Sequence, residues 1–172
     1  MKAICVLTNV SNKNISGHIE FEQIKQINNE IWLLITINIK GLTPGKHGIH
    51  IHQTGNLLEG CTSLCSHFNP DNTIHGDIND NRKNRHAGDL GNIEADSHGN
   101  VNTIIIDKIL RLDPTSKYSI IGRSVVIHQN RDDLGRGGLN KYGNIINKKL
   151  HNESVKTGNA GKRIACGVIG IR

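Results

Sequence analysis

Ile31, Leu33, Ile35, Ile37 and Ile39 occupy every second position of one nine-residue run. A period of two is that of an extended strand with one buried face, and no helix can keep such a set on a single side. Segments 2–8, 15–22, 47–52, 101–107, 118–128 and 163–171 are also rich in Ile and Val and end at Gly, Asn, Asp or Pro, so each is predicted to be a strand. No window combines a 3.6-residue apolar period with helix caps. Nineteen glycines in 172 residues, above the usual ~7%, suit many turns between short strands. The pattern predicts an all-β sandwich or barrel. With no internal repeat and no low-complexity linker, residues 1–172 read as a single domain with one core.

Two long stretches interrupt the strands. Residues 53–85 are polar and rich in Asn and Asp, and residues 129–162 are rich in Gly and charge. Loops of this length inside a compact domain are usually functional. The formal charge is +6, but the basic residues are scattered and only five side chains are aromatic. That argues against a nucleic-acid partner, which needs a basic stripe and stacking platforms. It suits a solvated basic surface or a field that draws in a small anion. Met1 and Lys2 lead straight into Ala3-Ile4-Cys5-Val6-Leu7, too short for a signal segment, and no stretch approaches a membrane span. A cytoplasmic location and no membrane partner are therefore expected. Four cysteines in that compartment would ordinarily be reduced thiols.

Ten histidines are many for this length, and six lie between His47 and His86. In His50-Ile51-His52 the two rings sit two residues apart on a strand, on one face, where they can clasp one ion. Taken alone, most such pairs are surface residues. His67, His75, His86 and Asp89 follow in the long loop and make three imidazoles and a carboxylate, a closed set suited to Zn²⁺. His128 ends the apolar run Val125-Val126-Ile127. With His50, His52 and His67 it makes four nitrogens, the donor set Cu²⁺ prefers.

His50-Ile51-His52, Gly60-Cys61-Thr62-Ser63, His67-Phe68-Asn69-Pro70, His86-Ala87-Gly88-Asp89-Leu90-Gly91-Asn92, Asp132-Asp133-Leu134-Gly135 and Gly158-Asn159-Ala160-Gly161-Lys162-Arg163-Ile164-Ala165-Cys166-Gly167 occur in that order. From Ala3 to Ile171 the chain resembles the Cu/Zn superoxide dismutase family of the cytosolic, intracellular type. The resemblance implies an eight-stranded antiparallel Greek-key β-barrel or sandwich, immunoglobulin-like, with long metal-binding and electrostatic loops. It also implies an enzyme that disproportionates superoxide into oxygen and hydrogen peroxide, with one copper and one zinc per chain. Copper would sit on His50, His52, His67 and His128, and zinc on His67, His75, His86 and Asp89, with His67 bridging the two as an imidazolate. Asp132 matches the carboxylate that links a copper-side to a zinc-side histidine. Arg163 matches the arginine that positions the anion. Lys156 and Thr157 match residues of the substrate channel, and Glu153 would shape the same field. The implied catalytic residues are Arg163 and His67.

The same resemblance pairs Cys61 with Cys166 in a disulfide and gives His47 a structural, hydrogen-bonded role. Cys5, in an apolar strand, is expected to be a buried thiol, and His18, His98 and His151 surface residues. Cys65 departs from the family pattern; it would either compete for Cys166 or stand idle. The segment between His75 and His86 is slightly long, and a larger insertion at about residues 139–151 adds Lys141, Lys148 and Lys149. A homodimer is expected through the disulfide loop, the Ile120-Ile121-Gly122 region and the last strand, with Leu57, Leu58, Val168, Ile169 and Ile171 as its apolar material. Lys162 and Ile164, where proline would accompany strict need of a copper chaperone, imply that such a chaperone is not strictly required. Two rival readings remain at this level. One is an inactive relative, a decoy or copper-chaperone-type binding protein; the other is a zinc-stabilised binding module.

Overall fold

The computed structural model describes residues 1–9 and 14–172. Its strands are β1 (Lys2–Val6), β2 (Thr8–Asn9), β3 (Ser16–Lys25), β4 (Ile31–Lys40), β5 (Gly45–His52), β6 (Asp89–Ala95), β7 (Val101–Asp107), β8 (Ser124–His128) and β9 (Arg163–Ile171). The two-residue β2 continues the edge that β1 makes with β9, on the far side of Leu7: Cys5 faces Ile169 and Thr8 faces Cys166. The other eight pair in the order β6-β5-β8-β9-β1-β3-β4-β7, every pair antiparallel. The two ends of that path, β6 and β7, are consecutive in the chain. A turn joins them in which Asp96 Oδ1 accepts the His98 and Asn100 amides at 2.8 Å each. The sheet thus curls into a nearly closed barrel whose seam lies between β6 and β7, and the Greek-key crossings are those from β4 to β5 and from β7 to β8.

The alternation in β4 survives intact: Leu33, Ile35, Ile37 and Ile39 are buried, while the residues between them are half-buried. They meet Ile19 and Phe21 of β3, Ile49 and Ile51 of β5, Val125 and Ile127 of β8, and Ala165 and Ile169 of β9 in one core. Each of the Leu, Ile, Val and Phe side chains contributes about 1.5–3 kcal/mol by leaving water. In β5 this core face alternates with His50 and His52, which lie on the outer face yet are buried too. Residues of the two long loops meet them there, Asp132 at His50 and the Cys65 carbonyl at His52. The alternation that builds the barrel therefore also points the histidines outward into the space under the loops.

Three elements differ from the sequence expectation. β6 is a strand, although Asp89-Leu90-Gly91-Asn92 contains weak strand formers; pairing with β5 holds it in place. Only residues 124–128 of the predicted 118–128 strand pair as one. Residues 118–123 form turns, with the Gly122 amide bonded to the Ile169 carbonyl. The electrostatic loop carries a helix, α1 (Lys148–Thr157). Among the apolar residues assigned to a dimer patch, Ile120 and Ile169 belong to the core, while Leu58 and Ile171 are exposed. No helix of the described residues is long and apolar enough to cross a membrane.

Candidate metal centre

His50 and His52 leave β5 beside β8, which carries His128 at its end, and a bridge between His52 and His67 brings the loop residue to the same place. One ligand atom from each of His50, His52, His67 and His128 lies within 4.8 Å of all the others. Three of these rings are anchored by one nitrogen and free at the other. His50 Nε2 donates to Asp132 Oδ2 (2.7 Å), His52 Nδ1 to the Cys65 carbonyl (2.9 Å) and His128 Nδ1 to the Gly161 carbonyl (3.0 Å). The opposite atoms, His50 Nδ1, His52 Nε2 and His128 Nε2, are buried with no hydrogen-bond partner among the described residues. A buried unpaired polar atom is costly, so three aimed at one point mark a place for something that accepts lone pairs. Burial pushes the pKa of His50 and His52 well below the ordinary value and that of His128 down to about 4. All three rings are thus neutral, the form that binds a metal.

A second cluster adjoins the first. His67 Nδ1, His75 Nδ1 and His86 Nδ1 lie 2.9, 3.0 and 3.1 Å from Asp89 Oδ1, and 3.4 Å separates His67 Nδ1 from His86 Nδ1. An ion with bonds of about 2.0 Å sets its tetrahedral ligands about 3.3 Å apart, and these spacings match that edge. His75 Nδ1 has no hydrogen bond despite its 3.0 Å approach to the carboxylate, because the two atoms face a common centre and not each other. A grouping by mutual distance alone takes His50 with His67, His75 and Asp89 on this side and omits His86. The hydrogen bonds argue for His86. Asp89 Oδ2 is occupied by the Gly76 and His86 amides, so Oδ1 is its free face, and His86 Nδ1 is at that face. His50 is instead tied through Nε2 to the carboxylate behind it.

Asp132 joins the halves. Its Oδ1 accepts from His75 Nε2 at 2.8 Å while its Oδ2 accepts from His50, and Asn92 holds its backbone through both the amide and the carbonyl. Burial opposes charge on His75, but the hydrogen bond to Asp132 and the negative charge of the Asp89 carboxylate beside it outweigh that and raise its pKa to about 10. Gly158 sits against this pair with φ 66°, and a Cβ there would run into both the Asp132 carboxylate and the His75 ring.

Arg163, first residue of β9, is held by three carbonyls: Nη1 donates to Cys61 (2.6 Å) and Thr62 (3.3 Å), and Nη2 to Cys65 (2.6 Å). With His52, His128, Lys156, Thr157 and Glu153 it lines a cavity of about 530 Å³ that opens on the first cluster. Thr157 Oγ1 donates to Glu153 Oε1 at 3.1 Å, which turns that carboxylate toward the helix. Cys61 and Cys166 form the disulfide, with Cα atoms 5.8 Å apart, so the loop carbonyls that grip Arg163 are bonded to β9. Cys65 is an exposed free thiol and Cys5 a buried one whose pKa burial pushes up to about 12. His47 stands outside both clusters: Nδ1 meets the His128 carbonyl and Nε2 the Thr43 carbonyl, 2.8 Å each.

Arg85 carries no sequence signal, because an arginine beside His86 reads as an ordinary surface charge. It is 2% exposed, pairs with Asp107 of β7 at 2.5 Å, and donates to the carbonyls of His86, Ala87 and Ile78. It thereby clamps the loop segment that carries His86 and leads into β6 at Asp89.

A model of the copper/zinc superoxide dismutase family matches residues 15–169. The extracellular superoxide dismutase [Cu-Zn] of Brugia pahangi is 47% identical over 169 residues, covering 98% of this chain and 75% of that protein. The superoxide dismutase [Cu-Zn] of Onchocerca volvulus is 47% identical over 157 residues, 91% of this chain and 89% of the relative. The extracellular enzyme of Drosophila melanogaster is 43% identical over 161 residues, 94% of this chain and 78% of the relative. Among solved structures, the clock protein EA4 superposes with a TM-score of 0.81 at 41% identity, covering 99% of this chain and 94% of that one. The chain belongs to the copper/zinc superoxide dismutase family.

Proposed function

We propose that superoxide is disproportionated at the His50–His52–His67–His128 cluster, whose unpartnered buried nitrogens carry the assignment. Two superoxide ions and two protons give one dioxygen and one hydrogen peroxide. The donor sets fit the metals of the family. The neutral rings of His50, His52 and His128, with His67 as an imidazolate, would hold copper on one side, and His67, His75, His86 and Asp89 would hold zinc on the other. Copper, when bound, supplies the one-electron cycling, and zinc, which has no redox chemistry, orders the loop. Arg163, always charged and gripped by three carbonyls, orients the anion by its planar fork. Lys156 and Thr157 line its approach. His67, with Nδ1 committed beside Asp89, would carry on its other nitrogen, whenever that nitrogen is free of metal, the proton delivered to the peroxide. Asp132 fixes the rings of His50 and His75. An inactive decoy is not favoured, because both clusters and the arginine are intact. His50→Ala or His128→Ala is expected to lower dismutase activity by at least a hundredfold while one zinc per chain remains, read by activity assay and metal analysis. Near-normal rates in either variant would remove the copper assignment.

The homodimer rests on the exposed Leu57, Leu58 and Ile171, with the disulfide loop and β9 as its two sides. Sedimentation at micromolar concentration tests it. Independence of a copper chaperone rests on Lys162 and Ile164 leaving the start of β9 free of proline's fixed φ; expression in a host without that chaperone tests it. The cytoplasmic reading is opposed by the extracellular names of the Brugia pahangi and Drosophila melanogaster relatives. Recovery of the native protein from the medium and not the lysate would replace it.

A further inference from the structure

The insertion in the electrostatic loop exposes apolar side chains on an ordered scaffold. Leu139 bridges to Ile145, Asn140 exchanges backbone bonds with Asn144 and Gly143, and Asn140 Oδ1 accepts the Tyr142 and Asn144 amides at 2.9 and 3.0 Å. Asn147 then caps α1 by accepting the Leu150 amide. Nothing in this turn is slack, yet Tyr142 is 76%, Ile146 71%, Ile145 55% and Leu150 43% exposed. Such a cluster of apolar residues on an ordered, polar-rimmed surface marks a contact site.

The charge around it has one sign. No Asp or Glu lies between Asp133 and Glu153, and the segment carries Lys141, Lys148 and Lys149. Arg136 is already engaged with Asp80 and Asp77, whereas the three lysines form no ion pair among the described residues. Lys141 Nζ lies over the Tyr142 ring at 4.9 Å. Steering of a small anion would account for the lysines, but it gives no reason to hold two isoleucines, a leucine and a tyrosine in water. Exposed aliphatic side chains and a tyrosine, with three lysines in the same short segment, match the chemistry of a bilayer interface, where acyl chains lie beneath phosphates.

We propose that the Tyr142–Leu150 face is a peripheral docking surface for an anionic phospholipid bilayer. Tyr142, Ile145 and Ile146 enter the headgroup boundary, and Lys141, Lys148 and Lys149 lie on the phosphates. The sequence expectation of no membrane partner rested on spanning segments, and this contact needs none.

The test is flotation of the metal-loaded enzyme with vesicles of phosphatidylcholine alone, or of phosphatidylcholine and phosphatidylserine in equal parts. Binding is expected only to the second, weakening as salt rises. Each Lys→Gln change should cost about fivefold in partitioning, and the double variant Ile145→Ser/Ile146→Ser more than tenfold. Dismutase activity of the unbound variants should stay at the parent level, which shows that they are folded. No binding to the serine-containing vesicles would overturn the proposal. So would binding that the isoleucine variant leaves intact, or that free heparin matches in strength, since either outcome means simple attraction to a polyanion.

Discussion

Cys65 shows how one residue can be strained and central at once. Its φ of 61° and ψ of −154° lie at the margin of, but within, a region that is essentially reserved for glycine and costs of order 1–3 kcal/mol for other residues. The strain persists because its carbonyl serves two masters, His52 Nδ1 and Arg163 Nη2. The thiol itself is exposed and unpaired, so the backbone, and not the sulfur, is what the site uses. Cys65→Gly should therefore raise stability by about 1 kcal/mol, the relieved strain being larger than the added freedom of the unfolded chain. Activity should hold. An unchanged or lower thermal midpoint would count against it. The buried histidines make a second prediction, for the metal-free protein. Burial depresses the pKa of His50, His52 and His67, and of His128 to about 4, so the unfolded chain binds protons that the folded one refuses. Stability should fall as pH drops from about 6.5 toward 4, by up to about 1.4 kcal/mol per pH unit for each such ring. His75 acts with the opposite sign. Its raised pKa gives stability that is full below about 6.5 and is lost as pH rises toward 10. Urea midpoints of the metal-free chain should therefore be lower at pH 5 than at pH 7, and a flat or inverted profile would refute the neutral assignment of the four rings.

At the scale of elements, α1 is the part the sequence hides best. Lys-Lys-Leu-His-Asn-Glu-Ser-Val-Lys-Thr has no apolar stripe, and its only buried residue is Ser154. Hydrogen bonds hold it. Ser154 Oγ donates to Asp133 Oδ1 at 2.6 Å and accepts the Gly137 amide at 2.8 Å, while Asn159 Nδ2 donates to the other oxygen of Asp133. Ser154→Ala should destabilise the helix by about 1–3 kcal/mol, visible as faster amide exchange over residues 148–157. Activity should fall only several-fold, because Lys156 and Thr157 lose their placement but Arg163 does not. Unaltered exchange would show that the helix is held by something else. The caps that end α1, Asn147 and Gly158, were present in the sequence, but caps without a periodic face do not announce a helix. β6 was hidden for a related reason: Asp89 faces the His67, His75 and His86 rings and Gly91 takes a positive φ, and its partner β5 supplies what local propensity lacks. β4 was legible because burial on one face imposes its own period. The two histidine clusters were legible as candidates because few other arrangements place His, His, His and Asp so densely. Arg85 and the Cys65 carbonyl were not, since a buried cation and a backbone atom leave no trace in side-chain pattern.

The whole molecule adds a field to this local machinery. A formal charge of +6 faces an anionic substrate, and electrostatic steering, for which this enzyme family is a known example, speeds encounter between opposite charges. Two contributions can be separated. Charges spread over the surface act across distances that salt screens, the screening length being about 30 Å at 0.01 M and about 8 Å at 0.15 M. Arg163 acts at the cavity wall, where its fork is fixed by the Cys61, Thr62 and Cys65 carbonyls. Lysine at that position keeps the charge but has a single flexible ammonium, which cannot grip three carbonyls and orient an anion together. Arg163→Lys should therefore lower the rate about tenfold and leave its salt dependence close to that of the parent. Arg163→Glu places a negative charge at the end of the approach, so its rate should fall much further and decline less steeply with salt, or even rise. Dismutase rates of the three proteins, measured across that range of ionic strength with metal content checked for each, decide the matter. Equal rates for the lysine and glutamate variants would mean that Arg163 does not meet the substrate, and parallel salt slopes in all three would assign the steering entirely to the rest of the surface.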